Sequence, residues 1–409
     1  MPSSPAHLTY CTNIHPGETW PEVRANLARY LVPVRERVAP GVPFGVGLRL
    51  SAEAARALAE PEALAELRRF FELHDLYLFT INGFPYGAFH GRPVKAEVYL
   101  PDWLDPARLE YTNRLADILA ALLPAGLNGT ISTVPGAFAP RVTDREGAQR
   151  MARSMLAHVA HLVQLRATTG QLIALALEPE PCCFLETIAE TVEFFTQHLL
   201  APPQVAALAA VTGLDIASAV SAIREHIGVC LDACHMAVEF EDPTAVLEAL
   251  HTAGIQVAKV QVTAGLRVML ASADSDGLDA LARFADDVYL HQVVERRPDG
   301  TLRRYLDLPQ AIDTAREDGA PREWRIHFHV PVFQERLGRF EGTQTYVSDL
   351  LQAVRARDAC SQFEVETYTW DVLPEEFRSE GIVGGIVREL EWTASRLEAW
   401  ATQSSHGGN

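Results

Sequence analysis

The chain has 409 residues, of which 48% are hydrophobic, enough to fill a large core. At roughly 150 residues per domain the length admits two or three domains, though α/β barrels run well past 250 residues as one. The formal charge of −18, from 53 acidic and 35 basic side chains, repels phosphate backbones and argues against nucleic-acid binding.

In chain order, strand-like apolar runs fall at 8–14, 44–50, 76–82, 128–134, 172–178, 227–232, 257–263, 325–330 and 363–369. Helix-period segments lie between them at 52–72, 107–123, 144–167, 184–198, 243–252 and 344–357, and a last helix at 383–402 is expected on the outside. Strands alternating with helices predict an α/β architecture with a parallel sheet, here a (β/α)8 TIM barrel. Nine strand candidates compete for eight places, so one lies outside the ring. The sequence does not say which; the extra piece is expected to belong to a long insertion after 257–263, at about 270–322, where 289–294 and 303–308 flank the hairpin turn Pro298-Asp299-Gly300. A second insertion, 199–226, is Ala-rich and is expected to add short helices. With no internal repeat or flexible linker, residues 1–409 read as a single domain.

The six cysteines include no C-x-x-C pair, and several sit in apolar strands, where free Cys behaves as a small hydrophobe. A reducing cytoplasm fits this usage. The N-terminus lacks the basic start and apolar region of a signal peptide, and the apolar stretches fall short of the ~20 residues of a membrane span.

The chemistry concentrates where apolar strands stop. One run ends in Leu177-Glu178-Pro179-Glu180-Pro181 and another in Leu231-Asp232-Ala233-Cys234-His235. In a parallel barrel the C-terminal strand ends converge on one mouth. Carboxylates ending fully apolar strands are costly unless something pairs with them, which favours a polar, metal-holding site over a solvated loop edge. Asp232 alone would often be a helix N-cap, but together with His235 and the distant Glu-Pro-Glu it is less easily explained that way. Gln261 is a polar side chain inside an apolar strand: a hydrogen-bonded core residue, or a neutral oxygen ligand beside carboxylates. Arg267 falls in the expected loop beyond it, to grip substrate or to face solvent. His327 and His329 alternate on one strand face, which argues for a pocket. Glu366 shares parity with Glu364, Tyr368 and Trp370, and aromatic walls suit the C–H faces of sugars. Asn82, in a Gly-hinged loop, His15 and the weaker His291 complete the candidates. No Gly-rich phosphate loop, Walker motif or nucleophile elbow is present.

These residues resemble those of the xylose isomerase-like TIM barrels, the superfamily of sugar isomerases, ketose 3-epimerases and endonuclease IV-type enzymes. The resemblance implies one divalent ion held by a Glu, an Asp, a His and a Glu from the last four strands, with a His and an Arg contacting substrate. Glu178, Asp232 and Glu366 match the three carboxylates, and His235 matches the substrate His of the Asp-x-x-His pair. Gln261 stands where the metal His is expected, with Arg267 six residues on. His327 is an alternative nitrogen donor, and a competing alignment uses His291 with Arg297. The runs YCTNIHPGETW, NGFPYGAFHG, LEPEPCCFLET, LDACHMAVEFEDP and VETYTWDVLP further resemble the EboE-type metabolite traffic proteins of the same superfamily.

The leading expectation is a divalent-metal-dependent isomerase or epimerase of a sugar, cyclitol or similar polyhydroxylated molecule. Glu178 and Glu366 would move the proton, and Glu178, Asp232, Gln261, Glu366 and His327 are the candidate ligands. Oxygen-rich ligation suggests Mn²⁺ or Mg²⁺, and His327 would shift the preference to Zn²⁺ or Co²⁺. The other expectation is a binding or carrier protein of EboE type that keeps the pocket without turnover. An abasic-site endonuclease conflicts with the acidic surface.

Overall fold

A computed structural model describes residues 6–91, 93–285, 287–373 and 380–406. Residues 1–5 of the N-terminal segment, and Pro374 at the end of VETYTWDVLP, lie outside the described residues.

Seven parallel strands, β1 (His7–Tyr10), β2 (Phe44–Arg49), β3 (Leu76–Asn82), β4 (Gly129–Thr133), β5 (Ile173–Leu177), β6 (Ile227–Asp232) and β7 (Val257–Val262), are joined by a late one, β14 (Gln362–Val365). Their order is β1-β14-β7-β6-β5-β4-β3-β2, and each neighbouring pair is parallel. Threonine side chains bind the seam between β1 and β2. Thr9 Oγ1 donates to Gly45 O at 2.8 Å and accepts from Gly47 N at 3.1 Å, and Thr12 Oγ1 accepts from Arg49 N at 2.8 Å. A Cβ on Gly47 would lie 2.8 Å from Tyr10 O and run into Glu364, so glycine alone permits this approach. The result is a nearly closed eight-stranded barrel.

The barrel strands are buried on both faces, as parallel sheets under helices are. Ile131, Leu175, Leu177, Val229, Leu231, Val260 and Phe363 join the apolar layer beneath the helices. The lumen is polar. Lys259 Nζ lies 2.5 Å from Glu364 Oε2 and 3.0 Å from Thr80 Oγ1, so each buried charge has its partner.

After β7 the chain does not turn into a helix. With only Thr263 between, it enters β8 (Ala264–Leu270), the first strand of a second, antiparallel sheet with β9 (Val293–Arg296), β10 (Leu302–Tyr305), β11 (Arg322–Val330), β12 (Arg336–Leu337) and β13 (Phe340–Gly342). Its order is β10-β9-β11-β8-β13-β12. The expected hairpin around Pro298-Asp299-Gly300 is the β9–β10 pair. The strand outside the ring is the one at 325–330, now β11, and the inserted sheet runs from Ala264 to Gly342, wider than 270–322. The β11–β8 register breaks between Ile326 and Val330, which frees the segment carrying His327 and His329 from that ladder.

The region 199–226 folds as two short helices, Pro202–Thr212 and Ile216–His226. Helix 52–72 divides into Ala52–Leu58 and Pro61–Leu73, because Pro61 cannot donate the amide that would continue the first turn. The C-terminal helix Gly381–His406 packs against Val32–Val38 and Gln344–Ala356. Among the described residues, no single helix is long and apolar enough to cross a membrane.

Candidate metal site

Glu178 follows β5, Asp232 ends β6 and Glu366 follows β14, so all three project from the C-terminal rim of the barrel. One carboxylate oxygen from each lies within 4.8 Å of the other two, and all three residues are buried. Asp232 divides its oxygens between two tasks. Oδ1 caps the helix Ala233–Val238, accepting from Cys234 N at 2.7 Å and His235 N at 3.1 Å, and also accepts from Thr263 Oγ1 at 2.6 Å. Oδ2 is buried without a hydrogen-bond partner, as is Glu178 Oε2. Glu366 Oε1 is held by the side-chain amides of Asn13 at 2.6 Å and Asn82 at 2.7 Å. Buried carboxylate oxygens left without donors are costly, and a cation is what satisfies them. The hard-oxygen set therefore fits a divalent ion.

The inserted sheet closes the other side. His327 and His329 line the same cleft as Glu178, Glu180, His235 and Glu366. Its wall is aromatic. Phe89, Tyr289 and Tyr368 pack on one another, with Tyr289 and Tyr368 edge to face at 5.1 Å. Glu180 is bonded to other groups, accepting from Tyr99 Oη at 2.5 Å and Gln292 Nε2 at 3.3 Å.

Burial and mutual repulsion set the electrostatics. Glu178 is pushed well above the usual carboxylate range by burial, then by Glu366 and Asp232. Glu366 is raised by burial, then by Asp232 and Glu364. Burial pushes His327 far down, with His235 and His329 adding to it, and holds His329 at about 4. Burial and repulsion thus favour the uncharged forms of Glu178 and Glu366, as burial does for His327 and His329, and a bound cation would reverse this for the carboxylates.

One carboxylate outside the cleft braces both of its arms. Glu389, buried on the C-terminal helix, accepts from Thr367 Oγ1 at 2.6 Å, next to Glu366, and from Val332 N at 3.2 Å, just beyond β11. Burial raises its pKa to about 7. Below the ordinary carboxylate value both folded and unfolded chains hold this proton. As pH rises towards 7 the unfolded chain releases it first, so the contribution to stability fades through that window by on the order of 3 kcal/mol. Glu389→Gln keeps the acceptor and removes the titration. The variant should match the wild type in thermal unfolding near pH 4 and exceed it near pH 8. Parallel curves of melting temperature against pH would refute this.

The other sequence-derived candidates divide. Asn82 and His235 line the cleft. The Gln261 oxygen accepts from the Cys230 thiol at 3.0 Å, and its amide nitrogen is buried without a partner. His15 is stacked on Tyr30 at 4.2 Å and bonded to Tyr10 Oη at 3.1 Å, in the core beside the cleft. The His291 ring packs on Phe328 at 4.8 Å, behind the face that carries His327. Arg267 requires a correction. It lies on β8 rather than in a loop over the mouth, and its guanidinium binds Glu323 and Glu341, each at 2.8 Å. Arg297 likewise pairs with Glu295 at 2.7 Å, in the hairpin. The sequence reading did not single out Asn13, Tyr99 or Gln292. Of these only Tyr99 carries a residue-level signal, as an aromatic near the rim.

No protein-family model matches the chain, and no curated protein matches it in sequence. Solved structures do. A xylose isomerase-like TIM barrel protein from Mycobacterium smegmatis in complex with magnesium superposes with a TM-score of 0.51 at 13% identity, covering 97% of this chain and 98% of that one. A D-tagatose 3-epimerase-like protein gives 0.49 at 10% identity over 97% and 99% of the two chains. An IolI protein with a bound zinc atom gives 0.46 at 12% identity over 96% and 99%. At such identities the first likeness speaks for architecture, which agrees with the strand order seen here: the chain has the xylose isomerase-like TIM barrel fold.

Proposed function

We propose that the protein is a divalent-metal-dependent isomerase or epimerase acting on a sugar, cyclitol or similar polyhydroxylated molecule. The observation that supports this most is the buried meeting of Glu178, Asp232 and Glu366, with unpartnered oxygens on two of them. These three carboxylates would hold the ion, and Mn²⁺ or Mg²⁺ suits an all-oxygen set. When bound, such an ion supplies polarisation of a substrate carbonyl, which acidifies the neighbouring C–H. Glu178 removes that proton and Glu366 returns it, the two approaching from different strands. Asn13 and Asn82 fix the Glu366 carboxylate by holding Oε1. Phe89, Tyr289 and Tyr368 cover the C–H faces of the substrate and keep water out. All six cysteines are free, and a reducing cytoplasm is the proposed location.

A second reading is a binding or traffic protein of EboE type that holds a metabolite in this cleft without turning it over. Gln261 favours it, because its oxygen is engaged by Cys230 and the barrel strand offers no histidine nitrogen at that place. Proton exchange separates the two. The metal-loaded wild type, offered a panel of ketoses and keto-cyclitols in D₂O, should introduce deuterium at the carbon next to the carbonyl. Tight binding without exchange would replace the enzyme by the carrier.

A further inference from the structure

Three imidazoles meet at the rim of the cleft. His327 Nε2 lies 3.1 Å from His235 Nε2 and 3.2 Å from His329 Nε2. The far nitrogen of each ring determines what these atoms are. His235 Nδ1 lies 2.9 Å from Pro179 O, and His329 Nδ1 lies 2.8 Å from Glu366 O. A backbone carbonyl only accepts, so each Nδ1 carries the hydrogen and each Nε2 keeps its lone pair. His327 Nδ1 lies 2.8 Å from Gln292 Oε1 and 3.5 Å from Glu180 Oε1, both acceptors. The Gln292 amide nitrogen is committed elsewhere, to Tyr99 Oη at 2.9 Å and Pro181 O at 3.2 Å, which fixes its oxygen towards His327. The third Nε2 is therefore also a bare acceptor.

Neutral rings in these tautomers place lone pair against lone pair, with no hydrogen between them. The Tyr368 hydroxyl, 3.4 Å from His327 Nε2, supplies one hydrogen at most. A cation among the rings turns the repulsion into ligation. Zinc–imidazole bonds of 2.0–2.1 Å in a tetrahedron put neighbouring nitrogens roughly 3.3–3.4 Å apart, close to the His235–His327 and His327–His329 spacings. A fourth donor is at hand. The unpartnered Asp232 Oδ2 lies 4.0 Å from His235 Nε2, and donor atoms of Asp232, His235 and His329 fall within 4.8 Å of one another.

The geometry points to a nitrogen-rich cation site, formed by His235, His327, His329 and Asp232 Oδ2, for an ion of the zinc or cobalt class, beside the oxygen-rich site of Glu178, Asp232 and Glu366. This deepens the reading above, since Asp232 belongs to both sites. It also gives the inserted sheet a purpose: β11 delivers the imidazoles that the barrel strand lacks at Gln261. The two neighbouring sites differ in hardness, so they sort ions of different kinds.

The test uses the full chain, stripped with a chelator and titrated with Co²⁺ alone. Visible d–d absorption should report a nitrogen-bound, tetrahedral ion in the wild type. The double variant His327→Ala/His329→Ala should lose that band and weaken cobalt binding on the order of 100-fold or more. It should still bind Mn²⁺ at the carboxylates, followed by electron paramagnetic resonance. Glu178→Gln/Glu366→Gln should do the reverse, so failure of one site is distinguishable from failure of the other. X-ray absorption on the zinc-loaded wild type needs no variant and should show imidazole scattering from more than one ring. An unchanged cobalt spectrum in the histidine variant, or a zinc shell of oxygen alone, overturns the proposal.

Discussion

Asp232→Ala should abolish the thermal stabilisation that Mn²⁺ gives the wild type. A ligand that binds only the folded chain stabilises it by about 2.7 kcal/mol at a hundred times its dissociation constant, and this gain vanishes with the site. Asp232 has the largest expected effect because it lies with Glu178 and Glu366 and also, through Oδ2, near His235. The alanine also removes a helix cap, costing about 1 kcal/mol without metal. The comparison is therefore each protein's shift on adding Mn²⁺, not its absolute melting temperature. Asp232→Asn separates the two roles, since it keeps an oxygen for the backbone amides of Cys234 and His235. It should recover the unliganded stability but little of the metal shift. A full Mn²⁺ shift in the alanine variant would remove Asp232 from the site.

The two readings of Asp232, cap and candidate ligand, compete in the sequence but are compatible in the fold, where Oδ1 caps the helix and Oδ2 is left without a hydrogen-bond partner. No residue pattern can express such a division between two oxygens. What the sequence did show was where apolar runs stop. Glu178, Asp232 and Glu366 stand out because a carboxylate at the end of a buried strand needs a reason to be there. His327 and His329 stand out through their period of two, which holds in any strand. The same period cannot say which sheet that strand joins, and 325–330 reads alike in a barrel and in an antiparallel insertion. Arg267 was misplaced for a related reason. A βα loop was expected after 257–263, whereas the chain enters β8 after a single residue, and an Arg on an antiparallel strand pairs with its neighbours' glutamates. Asn13, just beyond β1, holds Glu366 at the end of the neighbouring β14, 353 residues away in sequence, so no local spacing links the two. Glu389 looks like an ordinary helix-surface carboxylate until the packing of the C-terminal helix buries it.

Glu366→Gln should lower solvent exchange of the substrate's carbon-bound hydrogen by roughly 10²-fold or more, the usual worth of a positioned base. The substitution is nearly isosteric, and its amide oxygen can still accept from Asn13 and Asn82, which hold the wild-type Oε1. Shape and ligand binding should therefore survive, and the loss should fall on turnover rather than on affinity. Glu178→Gln should act on the same proton from the other side. If the two carboxylates divide removal and return, each variant will slow exchange in one direction of an epimerisation more than in the other. Equal slowing in both directions would instead mean that a single carboxylate does both jobs. Exchange at the wild-type rate in Glu366→Gln would exclude Glu366 as the base. It would leave the residue as a ligand anchored by two asparagines, and would move the search for the second base to Glu180, which lines the same cleft and is raised by burial above the ordinary carboxylate range.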